Sequence, residues 1–152
     1  MPWYEYSTST GAGNTKPYVT VHLWHGARKI NVIALVDSGA DTTMMDSSYA
    51  DVLGLNKAEA IVDEGEMANG SPVRVFTWPD KPIEIQFEND RFPFKGGFVE
   101  FAAGAEPENL LGRDDFFQRY IVQFWDAAQM MNIDTSPDHP RDPHPRPDSQ
   151  GA

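Results

Sequence analysis

Residues 33–40 read Ile-Ala-Leu-Val-Asp-Ser-Gly-Ala, an aliphatic run that ends on a carboxylate. A run this short, rich in aliphatic side chains, fits a buried strand. An acidic side chain at the end of a buried strand is costly unless something uses it. The glycine two residues later lets the backbone turn sharply and lets another backbone approach closely. The chain is thus expected to deliver Asp37 on a tight turn at the margin of a core. The triplet Asp37-Ser38-Gly39 occurs only once.

The surrounding chain is globular in character. Its 152 residues suit one domain, with 40% hydrophobic and 12% aromatic content to fill a core. The 12 glycines and 12 prolines favour a turn-rich, strand-rich chain over a helix bundle. With no cysteine, neither a disulfide nor a thiolate metal site can form. A net charge of −11 argues against nucleic acid and against anionic membranes, and is compatible with neutral or basic polypeptide partners. No apolar run reaches the roughly 18–20 residues of a membrane span. The opening Met-Pro-Trp-Tyr-Glu-Tyr lacks the basic and apolar regions of a secretory signal, so a cytoplasmic location is expected.

Along the chain, residues 1–16 are polar and read as a flexible lead-in, 17–134 as the folded domain, and 135–152 as a Pro-rich disordered tail. Tyr18–Trp24 and Ile30–Val36 read as strands joined by a turn at His25-Gly26-Ala27-Arg28. Met44–Leu53 reads as one or two helical turns capped by Gly54. Ala60–Glu66 and Val73–Trp78 flank Met67-Ala68-Asn69-Gly70-Ser71, where Asn-Gly is a strong hairpin signal. Further strands are expected over Ile83–Phe87, Phe92–Phe101, Ile121–Trp125 and Met130–Ile133, with a short helix over Arg113–Tyr120.

By composition alone, Asp-Ser/Thr-Gly would occur by chance in about one chain in twenty of this length. Here it comes with an aliphatic run before it, Ala40-Asp41-Thr42 after it, and Leu110-Leu111-Gly112-Arg113-Asp114 well downstream, with a hairpin between the two motifs. On these motifs the chain resembles the retropepsins, the retroviral-type single-domain aspartic proteases, and most of all their stand-alone bacterial members. The resemblance spans Pro17 to Ile133. It implies a small, closed, all-β barrel with a β-hairpin flap and one short C-terminal helix, dimerised through terminal strands. It implies Asp37 as the catalytic residue, with Ser38, Gly39 and Gly112 supporting the active loop. Gly39, Ala40, Asp41, Met67, Ala68, Asn69 and Gly70 would contact substrate, and Asp41 would pair with Arg113. No metal or organic cofactor is implied.

The chemistry can be reasoned separately. Peptide hydrolysis without a metal needs a base to activate water and an acid to protonate the leaving amine. Two carboxylates about 3 Å apart share one proton and supply both roles. One chain supplies one such carboxylate, because Asp134-Thr135-Ser136 lacks the glycine and opens the Pro-rich tail. The expected enzyme is therefore a C2 homodimer acting on polypeptides. The flap segment Glu64-Gly65-Glu66-Met67-Ala68-Asn69-Gly70 is acidic and poor in glycine, where many retropepsins have several. Glu64 and Glu66 are expected to favour basic residues in a peptide. The rival reading is a dimerisation or peptide-binding module with little or no catalysis. Plainer roles suffice elsewhere: His22 and His25 fall on opposite strand faces, which disfavours a shared metal, and Asp114 and Asp115 suit a helix start.

Overall fold

The structure, a computed structural model, describes residues 3–8, 15–66, 70–94, 100–103 and 108–135. Its organising unit is the hairpin of β2 (Tyr18–His25) and β3 (Arg28–Val36), in register from Tyr18 opposite Leu35 to His25 opposite Arg28. Gly26 closes the turn at φ 60°, a conformation that side chains disfavour. Along these strands Val21, Leu23, Val32, Ala34 and Val36 are buried, while Thr20, Asn31 and Ile33 face out. This is the period-2 pattern of a sheet with one face on a core.

The other strands are β1 (Trp3–Glu5), β4 (Met44–Asp46), β5 (Ile61–Glu66), β6 (Pro72–Thr77), β7 (Glu84–Phe87) and β8 (Asp90–Pro93). They are followed by β9 (Glu100–Ala103), β10 (Leu110–Leu111), β11 (Ile121–Trp125) and β12 (Met130–Asp134). Nine of them form one mixed sheet in the order β5-β6-β9-β4-β10-β3-β2-β7-β8, and β1-β12-β11 form a second. The protein is mostly β, as expected. The expected closed barrel is absent among the described residues: β5 and β8 end the large sheet and do not pair with each other.

The core joins Trp78, Phe87, Phe101, Leu111 and Phe116 to the inward residues of β2 and β3. Aromatic rings fasten the C-terminal segment to the β7–β8 hairpin. Phe87 lies 5.5 Å from Phe116, and Tyr120 lies 4.9 Å from Phe116 and 5.9 Å from Phe92, all edge-on. The same contact is closed by charge. Asp90 of β8 accepts from Arg119 Nε at 2.6 Å, from Arg119 Nη2 at 2.7 Å and from the Tyr120 hydroxyl at 2.7 Å. The Arg119 hydrogen bonds hold the Asp90 carboxyl below the ordinary carboxylate range. Burial, aided by Asp90, pushes the Tyr120 phenol above its ordinary value.

Several local expectations change. Met44–Asp46 is a strand, not the start of a helix, because it lies between β10 and β9 in the large sheet; the helix α1 is confined to Ser48–Val52. Within the lead-in, Trp3–Glu5 pairs with β12, and Ser7 bridges to Lys16. The short helix expected over Arg113–Tyr120 does form. It opens as a wide π-helical turn at Arg113–Phe117, in which both Phe116 N and Phe117 N donate to the Gly112 carbonyl, and goes on as helix through 118–119. Ile121–Trp125 and Met130–Asp134 form the expected hairpin through a 3-10 turn at Asp126–Ala128. Apart from Thr135, the Pro-rich tail lies outside the described residues. Among the described residues no helix is long and apolar enough to cross a membrane.

Candidate active site

Asp37 leaves the C-terminal end of β3, where β10 runs parallel with Leu110 opposite Leu35 and Leu111 opposite Val36. The Asp37 amide donates to the Leu111 carbonyl at 3.0 Å, so the ladder extends through the acidic residue itself. The two sequence motifs thus meet, one strand laid beside the other. The aliphatic pairs before Asp37 and Gly112 are what make this possible, since both strands enter the core together.

Beyond β3 the chain folds over its own carboxylate. The Gly39 amide donates to Asp37 Oδ1 at 2.9 Å, and the Ala40 amide donates to the Asp37 carbonyl at 3.2 Å. This Asx turn fixes the direction of the carboxylate. A Cβ at residue 39 would stand 3.2 Å from that oxygen, so glycine keeps the turn tight. Asp37 is partly exposed, and Ser38 and Gly39 are exposed. A carboxylate held by a backbone amide and open to solvent can meet a water or a second carboxylate.

The loop rests on Gly112. A Cβ there would lie 2.2 Å from the Thr42 carbonyl oxygen, 2.5 Å from its carbon and 2.9 Å from the Ala40 carbonyl oxygen. Its φ of −104° is open to any residue, so the requirement is for space alone. The Gly112 amide donates to the buried Thr43 hydroxyl at 3.3 Å. Arg113 N donates to the Ala40 carbonyl at 2.9 Å, and Asp114 N donates to the Asp41 carbonyl at 3.0 Å. Ser38, Gly39, Ala40, Asp41, Gly112 and Arg113 are therefore brought together around Asp37.

One expected contact is not made. Asp41 and Arg113 form no ion pair; the Arg113 Nε instead donates to the Ser38 carbonyl at 2.8 Å. Asp41 is exposed, and its backbone rather than its side chain meets the wide turn. A guanidinium that caps a loop carbonyl braces the loop without engaging its acids. Thr43 is a support residue that motif reasoning passed over. A threonine six residues beyond the aspartate, followed directly by a strand, is its only sequence signal.

The hairpin of β5 and β6 forms as expected, from Ile61 opposite Thr77 to Glu66 opposite Pro72. Of its tip, Gly70 takes φ 82°, while Met67, Ala68 and Asn69 lie outside the described residues. Every residue of β5 is exposed. Glu64 lines a cleft beside this hairpin together with Asp63 and Glu100; Glu66 is not among its lining residues. No protein-family model matches the chain, and no curated protein matches it.

Proposed function

We propose that the chain is a retropepsin-like aspartic endopeptidase that works as a C2 homodimer. The observation that carries this reading is the Asp37 turn. One carboxylate is aimed by the Gly39 amide, anchored to β10 through the Leu111 carbonyl, and left partly open to solvent. Asp37 and its copy from a second chain would share one proton and hold a water between them. The ionised carboxylate takes a proton from the water as it attacks the peptide carbonyl, and the protonated one donates to the carbonyl oxygen. Collapse of the tetrahedral intermediate then passes a proton to the leaving amine. Rate should peak at acid pH, where the pair carries a single proton.

In the same reading, Ser38 bonds across the two-fold axis, the Gly39 carbonyl meets substrate backbone, and the β5–β6 hairpin closes over the peptide. Glu64 and Glu66 bias the site towards basic residues. The test is sedimentation of the full chain together with cleavage of a fluorogenic peptide library. Wild type is expected to dimerise and cleave, and Asp37→Ala to dimerise without cleaving. Cleavage by Asp37→Ala would overturn the assignment.

A further inference from the structure

Beside the β5–β6 hairpin lies a cleft of about 380 Å³. Ile61, Val75 and Pro79 give it apolar walls, and Asp63, Glu64 and Glu100 give it carboxylates; among the described residues no lysine or arginine lines it. We propose that this cleft is a subsite for a lysine or arginine side chain of a bound peptide, with Glu100 as the residue that selects it. The inference rests on the peptidase reading above and adds to it the charge of the substrate.

Glu100 differs from the other two acids in how it is held. Its Oε2 accepts from the Thr42 hydroxyl at 3.1 Å, and its amide donates to the Thr43 carbonyl at 3.3 Å. Thr42 and Thr43 belong to the loop that carries Asp37 and rests on Gly112. The Glu100 carboxylate is thus tied to the active loop from both its backbone and its side chain. A peptide that extends from Asp37 under the hairpin would meet a carboxylate anchored to the same loop. Thr42 satisfies only part of the carboxylate's capacity, because each oxygen can accept more than one hydrogen bond.

The walls explain why the guest should be long as well as positive. Lys and Arg bury their methylene stems on apolar surface while the charged head seeks a polar partner. Ile61 and Val75 lie on neighbouring strands beside Thr77 and offer that surface. Among the described residues, the cations close to the hairpin have partners outside the cleft. Lys57 and Arg74 lie over the Phe76 ring, and Lys81 pairs with Glu59. None of these three lines the cleft; Arg74 stands opposite Glu64 in the β5–β6 register, whereas Asp63 stands opposite Val75 and Glu100 opposite Met44.

The test compares peptides that differ only by Lys, Gln or Glu at each position, as substrates of the wild-type chain and as ligands of Asp37→Asn by fluorescence anisotropy. Wild type should favour Lys over Gln at one position by about tenfold in kcat/KM, and Asp37→Asn should show the same order in binding. Glu100→Gln should remove most of that ratio, and Glu100→Lys should invert it in favour of Glu peptides. Cleavage with no charge preference, or a preference untouched in both Glu100 variants, overturns the subsite and leaves the peptidase standing. Lys-selective binding that depends on Glu100, without cleavage, upholds the subsite and overturns the peptidase. Neither binding nor cleavage overturns both.

Discussion

Gly112→Ala gives a sharp test of how the active loop is supported. The added Cβ would sit 2.2 Å from the Thr42 carbonyl oxygen and 2.9 Å from that of Ala40, and both are backbone atoms that no rotamer change can move. The φ of −104° suits alanine, so dihedral strain contributes nothing and the whole cost is steric. Overpacking of this kind costs about 1–3 kcal/mol. Separating the strands also weakens the Gly112–Thr43 and Arg113–Ala40 hydrogen bonds, at about 1 kcal/mol each. The sum is about 3–5 kcal/mol, or roughly 6–20 °C in Tm at about 2–4 °C per kcal/mol. Urea and thermal unfolding of the full chain, at matched protein concentration, would measure it. Gly65→Ala is the control, because its Cβ would meet only Val73 Cγ1, at 3.8 Å; its cost should stay below about 0.5 kcal/mol. If Gly112→Ala is as stable as wild type, or the two variants lose equally, the loop does not rest on Gly112 as argued.

Further outcomes follow from the contacts around the site. Asp90→Ala removes the acceptor of Arg119 and Tyr120 and should cost about 1–2 kcal/mol, discounted because Arg119 is partly exposed, in denaturant unfolding. Because the Asp90 pKa is lowered in the fold, its contribution is present above the ordinary carboxylate range and is lost as pH falls; Asp90→Ala should therefore flatten the acid limb of the stability curve. Tyr4 and Tyr6 are pushed up to about 12, chiefly by burial, and Tyr120 is raised as well. Raised phenols support the fold below their unfolded value of about 10 and withdraw that support above it, so stability should fall through this range, and less steeply in Tyr120→Phe. Arg113→Met removes the donor to the Ser38 carbonyl and should lower kcat by about tenfold or more while leaving far-UV circular dichroism unchanged. Unchanged kcat would mean that Arg113 does not brace the loop.

The sequence was most legible where a signal is local. The β2–β3 hairpin showed its alternation and its glycine turn, and the β5–β6 arms framed an Asn-Gly pair. The meeting of Asp37 with Gly112 was implied by the resemblance, and its physical reason is the space that glycine leaves: a Cβ at Gly39 would crowd the Asp37 carboxylate, and one at Gly112 the Thr42 and Ala40 carbonyls. Pairings between distant segments were hidden. Trp3–Glu5 becomes a strand only beside Met130–Asn132, and Met44–Asp46 only between β10 and β9. Three-residue strands are too short to show a period, so their state is set by partners far along the chain. The closed barrel expected from resemblance met a sheet that ends at β5 and β8. For Arg113, the resemblance implied which loop it would reach but not which atom. A carbonyl aligned with Nε took the place of the Asp41 carboxylate.

The most direct measurement of the central claim is a mixing experiment. Wild-type chain is equilibrated with increasing amounts of Asp37→Ala chain, and peptide cleavage per wild-type chain is followed. If each active site takes one Asp37 from each of two chains, mixed dimers are inactive, and activity per wild-type chain falls to about half at equal mixing. If activity per wild-type chain is unaffected at every ratio, although the two chains exchange, a single Asp37 suffices and the shared-carboxylate account is wrong.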